Sequence, residues 1–473
     1  MATMRPDFLQ AYDSSRLSRR FWAVMGILVL LPMFDFFDFF VVGYIVAVLS
    51  KVWHLTFGQS AMMLIGAGFG AIFGSLLMGA LADRFGRKPY LILSNIIVAV
   101  GAGGIAVMPE NSWFLFAVLR IFVGFGLGGS QAVHAAVSVE ITPTRYRTVI
   151  ASLLVAPASL GIILAASSAS ALLPVIGWRG LSAIGILPAV FGLLLIPIMP
   201  ESTRWLLTQG RFTDARRAAA KQLGVAEATL PMPAGVLTKP KPAALRELFL
   251  HKRAFWLIFF TWLGISTTTY GYQLWAPTIL SSAIHEPVSK VAGYFTIVGF
   301  CGLIGRFIFS ALPMRIGRRR AGQVMSVGAT IFIFCAGFYH RDFYGDIPAF
   351  ILWLSLAAIF VNGGFSNMAP YAPESYPVRL AASASGFAQG VNGIGKMLGP
   401  LVLGLIAGIG NLVSSSATEA AVIPGFTLLA GCCAVAFLAY TLLPIETHGK
   451  AMIVDREPEP EVRAEVLTNT HCT

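Results

Sequence analysis

Gly79–Lys88 reads GALADRFGRK, a basic turn carrying a glycine and set between two long apolar runs. A partial copy, SALPMRIGRR, fills Ser310–Arg319, so matching positions lie 231 residues apart in a chain of 473. Two further matches keep nearly the same step. EITPTR from Glu140 returns as ESYPVR from Glu374, and Phe21-Trp22 returns as Phe255-Trp256, both at an offset of 234. Three matches at nearly one offset describe a duplicated chain rather than one basic loop.

The chain is 56% hydrophobic and only 12% charged, about half the charged share of a soluble domain, which is about 25%. A membrane-crossing helix needs roughly 20 mainly apolar residues. Twelve stretches qualify, near 21–49, 59–81, 90–108, 113–139, 148–173, 179–199, 254–282, 289–312, 321–339, 347–372, 380–408 and 421–443. No alternation of strand and turn competes with them, so a β-barrel is not expected. The expected fold is an all-α membrane protein with twelve transmembrane helices in two pseudo-symmetric six-helix bundles.

The formal charge of +12 does not point to a nucleic-acid partner, because of where the basic residues lie. If the termini and the even-numbered gaps between spans share one side, the other side holds Lys51, Arg179, Lys290 and Arg341. Arg120, Arg306 and Lys396 fall within spans, which leaves 27 of the 34 Lys and Arg residues on the first side. Basic residues accumulate in cytoplasmic loops, so both termini are expected in the cytoplasm of a cell whose plasma or inner membrane the chain crosses. The first apolar run contains Asp35 and Asp38 and reads as a retained helix, not a cleaved signal. The five cysteines have the spacing of neither a disulfide framework nor a metal site.

The chain divides accordingly: a terminus over 1–20, a bundle over 21–199, a linker over 200–253, a second bundle over 254–443 and a polar tail over 444–473. The linker opens PESTRWLLTQGR, passes through ARRAAAKQLG and ends in proline-rich PMPAGVLTKPKP. One or two short basic surface helices are expected in it.

With these motifs in hand, the chain resembles the major facilitator superfamily over about residues 20–450. GALADRFGRK matches the family's loop between helices two and three. Leu119-Arg120 followed by VGFGLGG matches its fourth-helix motif, and Gly177-Trp178-Arg179 resembles the usual start of helix six. PESTRWLL at Pro200 and PIETHGK at Pro444 look like the closing motifs of the two halves in sugar-porter and metabolite:proton symporter branches, aromatic acid:proton symporters among them. The resemblance implies a secondary transporter in which two halves rock about a central site, with the lipid bilayer and a small molecule as partners. It implies neither an enzyme nor a cofactor.

Single residues sharpen this. Asp35 and Asp38, in PMFDFFDFF, lie three apart on one helical face. An acidic residue at a span's centre costs about 2.5–3.5 kcal/mol on insertion scales, and two close carboxylates should share protons. Related acid:proton and phosphate:proton symporters carry such a D-x-x-D pair, so proton coupling is expected of Asp35 and Asp38. The resemblance places Arg120 beside them; a permanent ion pair with Arg120 or Lys396 is the structural alternative. Lys396, in GVNGIGKMLGP, occupies a position where anion-handling relatives often carry Arg or Lys, and is expected to attract an anionic substrate. Tyr272, Gln273 and Trp275 in the polar, aromatic seventh span, with Gln131, His134 and Asn392, complete the expected substrate contacts. At the cytoplasmic face, Asp83 is expected to cap a helix. Arg84, Arg87, Arg145 and Arg379 are expected to exchange partners with Glu140, Glu201 and Glu374 across the seam between halves, in contacts that hold the outward-facing state and break when the cytoplasmic side opens.

The expected activity is proton-coupled uptake of a small organic anion by a monomer. A sugar, polyol or inorganic phosphate porter of the same fold, and a nutrient sensor that does not transport, are the competing readings.

Overall fold

The computed structural model describes residues 8–15, 17–143, 146, 150, 156–233, 245–377 and 380–447. Among them are long helices at all twelve expected positions. The first four spans are Arg19–Val52, Phe57–Phe85, Arg87–Val107 and Trp113–Glu140. The fifth and sixth form one continuous segment, Ala156–Ala183 and Leu187–Ile198 joined by a 3-10 turn, that breaks at Gly177. There φ is 64° and ψ is −175°, a left-handed conformation that glycine adopts without a Cβ penalty. The second half holds Lys252–Ala283, Val288–Ala311, Arg318–Phe338, Ala349–Glu374, Ala381–Ile406 and Ser415–Leu442 as spans seven to twelve.

Length and hydropathy alone pick out nine segments among the described residues. The fifth and sixth spans count there as one, and the seventh and eleventh are absent. Those two are the polar spans, and they line the central cavity. The outer surface is inverted relative to a soluble protein: Phe73, Val100, Phe114, Val175 and Leu194 are all exposed, as a lipid-facing wall requires.

Small residues set how closely the helices approach. In VGFGLGG, Gly124 and Gly128 lie against the backbone of Ala67 and Ala71 on the second span, leaving no room for a Cβ. The second and fourth spans pack tightly as a result, the close approach that small residues permit. The halves meet where the fifth span packs on the eighth, the second on the eleventh and the first on the seventh.

The linker supplies the expected surface helices, Thr203–Thr208 and Phe212–Leu223. They bury Trp205, Leu206 and Leu223 against Phe8 and Tyr12 of an N-terminal helix, Phe8–Ser14. The Tyr12 hydroxyl donates to the Ile141 carbonyl (2.9 Å), and Arg204 pairs with Asp13 (2.7 Å). This layer marks one face of the bundle, called here the terminal face.

Candidate functional site: a cavity between the halves

A cavity of about 2420 Å³ opens between the two halves. Small-molecule pockets are usually 300–1,000 Å³, so this one is a vestibule with a ligand-sized inner end. Its mouth, at the terminal face, includes His251, Arg253, Glu374 and Glu446. Its inner end includes Phe36, Phe40, Gln131, Trp262, Thr269, Tyr270, Arg306, Asn362, Asn392 and Lys396.

Lys396 stands at the centre of the inner end. Its Nζ lies 5.4 Å from the Phe39 ring centroid and 5.6 Å from that of Tyr270, and it donates to Gln131 Oε1 (3.4 Å). Phe40 stacks on Tyr270 with centroids 5.7 Å apart and planes 4° apart. The ammonium is therefore held by aromatic faces and a single side-chain amide. Asp35 is the carboxylate within electrostatic reach of it.

The two aspartates share a helical face but not a partner. Asp38 pairs with Arg120 at 2.9 Å, both side chains almost fully buried. Arg120 also donates to the Asp38 carbonyl (3.3 Å). Asp35 instead accepts from the Ser130 hydroxyl (2.9 Å), and its second oxygen is buried without a hydrogen-bond partner. The expected pair of interacting carboxylates is thus one ion-paired group and one group held by a hydroxyl.

Three expected substrate contacts lie elsewhere. Tyr272 and Gln273 are buried in a network with Asn362: Gln273 Nε2 donates to Tyr272 Oη (3.1 Å) and to Asn362 Oδ1 (2.9 Å). Trp275 donates to the Pro400 carbonyl (2.9 Å). None of the three lines the cavity; Thr269 and Tyr270 of the seventh span do. His134 also lies outside the lining, with Nε2 2.6 Å from the Leu28 carbonyl; it packs the first span against the fourth. Gln131 and Asn392 do line the cavity, and Asn392 accepts from Ser266 (2.8 Å). Tyr270 and Arg306 were not among the expected contacts. A charged residue inside a span is itself a signal of function, and Arg306 carried it.

At the terminal face the charged motifs fold into two matching clusters, one per half. In the first, Glu201 accepts from the backbone N–H groups of Arg87 (2.9 Å) and Lys88 (3.2 Å). Arg87 pairs with Glu140 (2.9 Å) and with Asp83. In the second, Glu446 accepts from the N–H groups of Arg318 (3.0 Å) and Arg319 (3.3 Å), and Arg318 pairs with Glu374 (2.5 Å). One expectation is corrected here. Glu201, not Asp83, caps the third span: Asp83 sits in the last turn of the preceding helix, where its carboxylate pairs with the guanidinium of Arg87. With the cavity open at this face, the partners of Arg87, Glu140, Glu201 and Glu374 lie within their own halves, as expected of contacts across the seam that form only when this side closes. Arg84 is exposed, with its guanidinium 5.2 Å from the Phe85 ring centroid. Arg145 and Arg379 lie outside the described residues.

The far end of the seam is closed. Phe57 and Gly58 donate their N–H groups to the carbonyls of Asn411 (2.9 Å) and Ile409 (3.0 Å), and Val413 donates to Leu55 (3.0 Å). Lys51 Nζ adds a bond to the Ser281 carbonyl (3.0 Å). These bonds tie the loop between spans one and two to the loop between spans eleven and twelve, and the first span to the seventh.

A cavity between two six-helix halves, closed at one end and open at the other, with charges at its centre, defines a multi-pass membrane transporter of the major facilitator fold. Residues 23–454 match the family described as Sugar (and other) transporter, and the chain belongs to that family. It is 27% identical to the niacin transporter NiaP of Acinetobacter baylyi, covering 84% of this chain and 90% of that one. It is also 27% identical to the 4-hydroxybenzoate transporter PcaK of Pseudomonas putida, covering 85% and 90%. The cis,cis-muconate transport protein of A. baylyi is 26% identical, covering 84% and 91%. Among solved structures, a partially occluded inward-open form of the xylose transporter XylE from E. coli superposes with a TM-score of 0.69 at 16% identity, covering 92% and 100%. The protein is a transporter, not an enzyme.

Proposed function

We propose that this protein carries a small organic acid, aromatic or otherwise conjugated, together with a proton. The observation that carries this reading is Lys396, a buried ammonium at the inner end of the cavity among aromatic faces and within reach of Asp35. The ammonium draws a carboxylate, and Phe36, Phe40, Tyr270 and Trp262 offer flat apolar surface to its body. Relatives named for niacin, 4-hydroxybenzoate and cis,cis-muconate support the same class of substrate.

In this reading, an arriving carboxylate competes with Asp35 for Lys396. Asp35 then takes up a proton, and the loaded cavity carries one anion and one proton together. Asp38 with Arg120 keeps the first and fourth spans in register beside it. The halves over 21–199 and 254–443 are the moving bodies, and the clusters around Arg87 and Arg318 meet when the terminal side closes. The basic terminal face is the cytoplasmic one, so the chain, working as a monomer in a plasma or inner membrane, takes up its substrate.

The test is uptake of radiolabelled benzoate, phosphate and xylose by proteoliposomes, with and without an inward proton gradient. Benzoate is expected to accumulate only with the gradient, and phosphate and xylose not at all. Gradient-driven accumulation of xylose or phosphate without benzoate would overturn the reading.

A further inference from the structure

We propose that Arg306 is a second anion anchor, so that the inner cavity selects acids bearing a second carboxylate at the far end of a flat or extended body. This rests on the acid-transport reading above and adds a specificity to it.

Arg306 comes from the eighth span and Lys396 from the eleventh, and both spans pack on the seventh. Tyr270 of that seventh span is a neighbour of both side chains. The Lys396 ammonium is over its ring, 5.6 Å from the centroid, while Arg306 is within electrostatic reach of its hydroxyl. The two positive centres are therefore offset along the tyrosine, and both line the same cavity. Among the described lining residues the carboxylates are Glu374 and Glu446, both at the mouth and both engaged with Arg318. The inner end thus places two cationic side chains, Lys396 and Arg306, in one lining, with Asp35 within reach of Lys396.

The chemistry of the two cations differs. An ammonium is a point charge that accepts an anion from many directions, whereas a guanidinium presents a planar fork that matches a carboxylate in two parallel bonds. A monoacid engages Lys396 and leaves the far end of Tyr270 unused. A diacid whose carboxylates point in opposite directions engages both, with its body along the face formed by Phe40 and Tyr270. Arg306 then sets the choice of substrate rather than the coupling to protons.

The experiment is calorimetric titration of the protein in lipid nanodiscs with benzoate and with benzene-1,4-dicarboxylate. Wild type is expected to bind the diacid about tenfold or more tightly than benzoate, the scale of one charged hydrogen bond. Arg306→Gln should erase that preference while changing benzoate affinity by less than about threefold. Arg306→Lys, which keeps the charge and guards against a folding defect, should retain part of it. Lys396→Gln should weaken both acids. Equal losses for both acids in Arg306→Gln would assign the residue a structural role and overturn the proposal. So would a wild type that binds benzoate with no preference for the diacid, and there the acid reading survives alone. A wild type that binds neither acid overturns both.

Discussion

The two ends of the seam between halves are built from different materials. At the terminal face, each half carries a cluster of carboxylates and guanidinium groups that is complete within itself, and the cavity opens between the clusters. At the far end, four hydrogen bonds cross from one half to the other, three of them between backbone groups. Each such bond contributes about 1 kcal/mol net, so the closure as a whole amounts to a few kcal/mol. That is the size of the gap separating interconverting states of one protein. A closure of this size holds the conformation yet still yields to a ligand, which a covalent or deeply ionic lock would not.

The most direct way to break this contrast is to make the far closure permanent. Thr56 and Leu412 face each other as antiparallel bridge partners. Thr56→Cys with Leu412→Cys is expected to cross-link under oxidation, abolish transport and recover it on reduction. Transport that persists in the cross-linked protein would mean that the far end does not open during the cycle.

Removing one bond instead should tilt the balance. Phe57 is the first residue of its helix and follows Thr56, whose backbone is extended (φ −79°, ψ 162°). Proline fits such a position, so Phe57→Pro deletes the N–H bonded to Asn411 and spares the helix. Relative to Phe57→Ala, which controls for lost contact with Trp275, the population open at the terminal face should fall about fivefold. Labelling of a cysteine placed at Gln389 reads that population.

At the terminal face the effects should stay within one half. Arg318→Gln leaves Glu374 without its guanidinium and is expected to cost about 1–3 kcal/mol, read as a lower melting temperature. Asp83→Asn should cost less than about 1 kcal/mol, because the Asp83 side chain is 58% exposed and Arg87 keeps Glu140.

The smallest effect belongs to Glu110, in the loop between spans three and four. Hydrogen bonds from Arg179 and Trp53 hold its carboxyl below the usual range. A depressed carboxyl stabilises the fold above its ordinary value near 4.5 and loses that contribution as pH falls through the depressed one. Melting temperatures of wild type and Glu110→Gln should therefore differ slightly at neutral pH and converge in acid.

This contrast also explains what could be read from the sequence. The terminal clusters are made by side chains, so Arg87, Glu140 and Glu201 and their counterparts Arg318, Glu374 and Glu446 stood out as repeated motifs. The far closure uses backbone N–H and C=O groups, which every residue but proline carries, and leaves no motif. Inside the spans, Asp35, Asp38 and Lys396 were legible because charges there are costly. The offset of 234 brought Tyr272 opposite Asp38, but matched positions do not fix how a helix is rotated about its axis. Two residues turn it about 200°, which carries the cavity side of the seventh span from Tyr272 to Tyr270.

The far closure has a consequence for measurement. By thermodynamic reciprocity, a ligand that prefers this conformation must stabilise the bonds at the far end by the same free energy with which those bonds favour its binding. The amides of Phe57, Gly58 and Val413 would then exchange their hydrogens with solvent more slowly when the distant cavity is filled. Three backbone protons on one side of the membrane become a gauge of occupancy reached from the other.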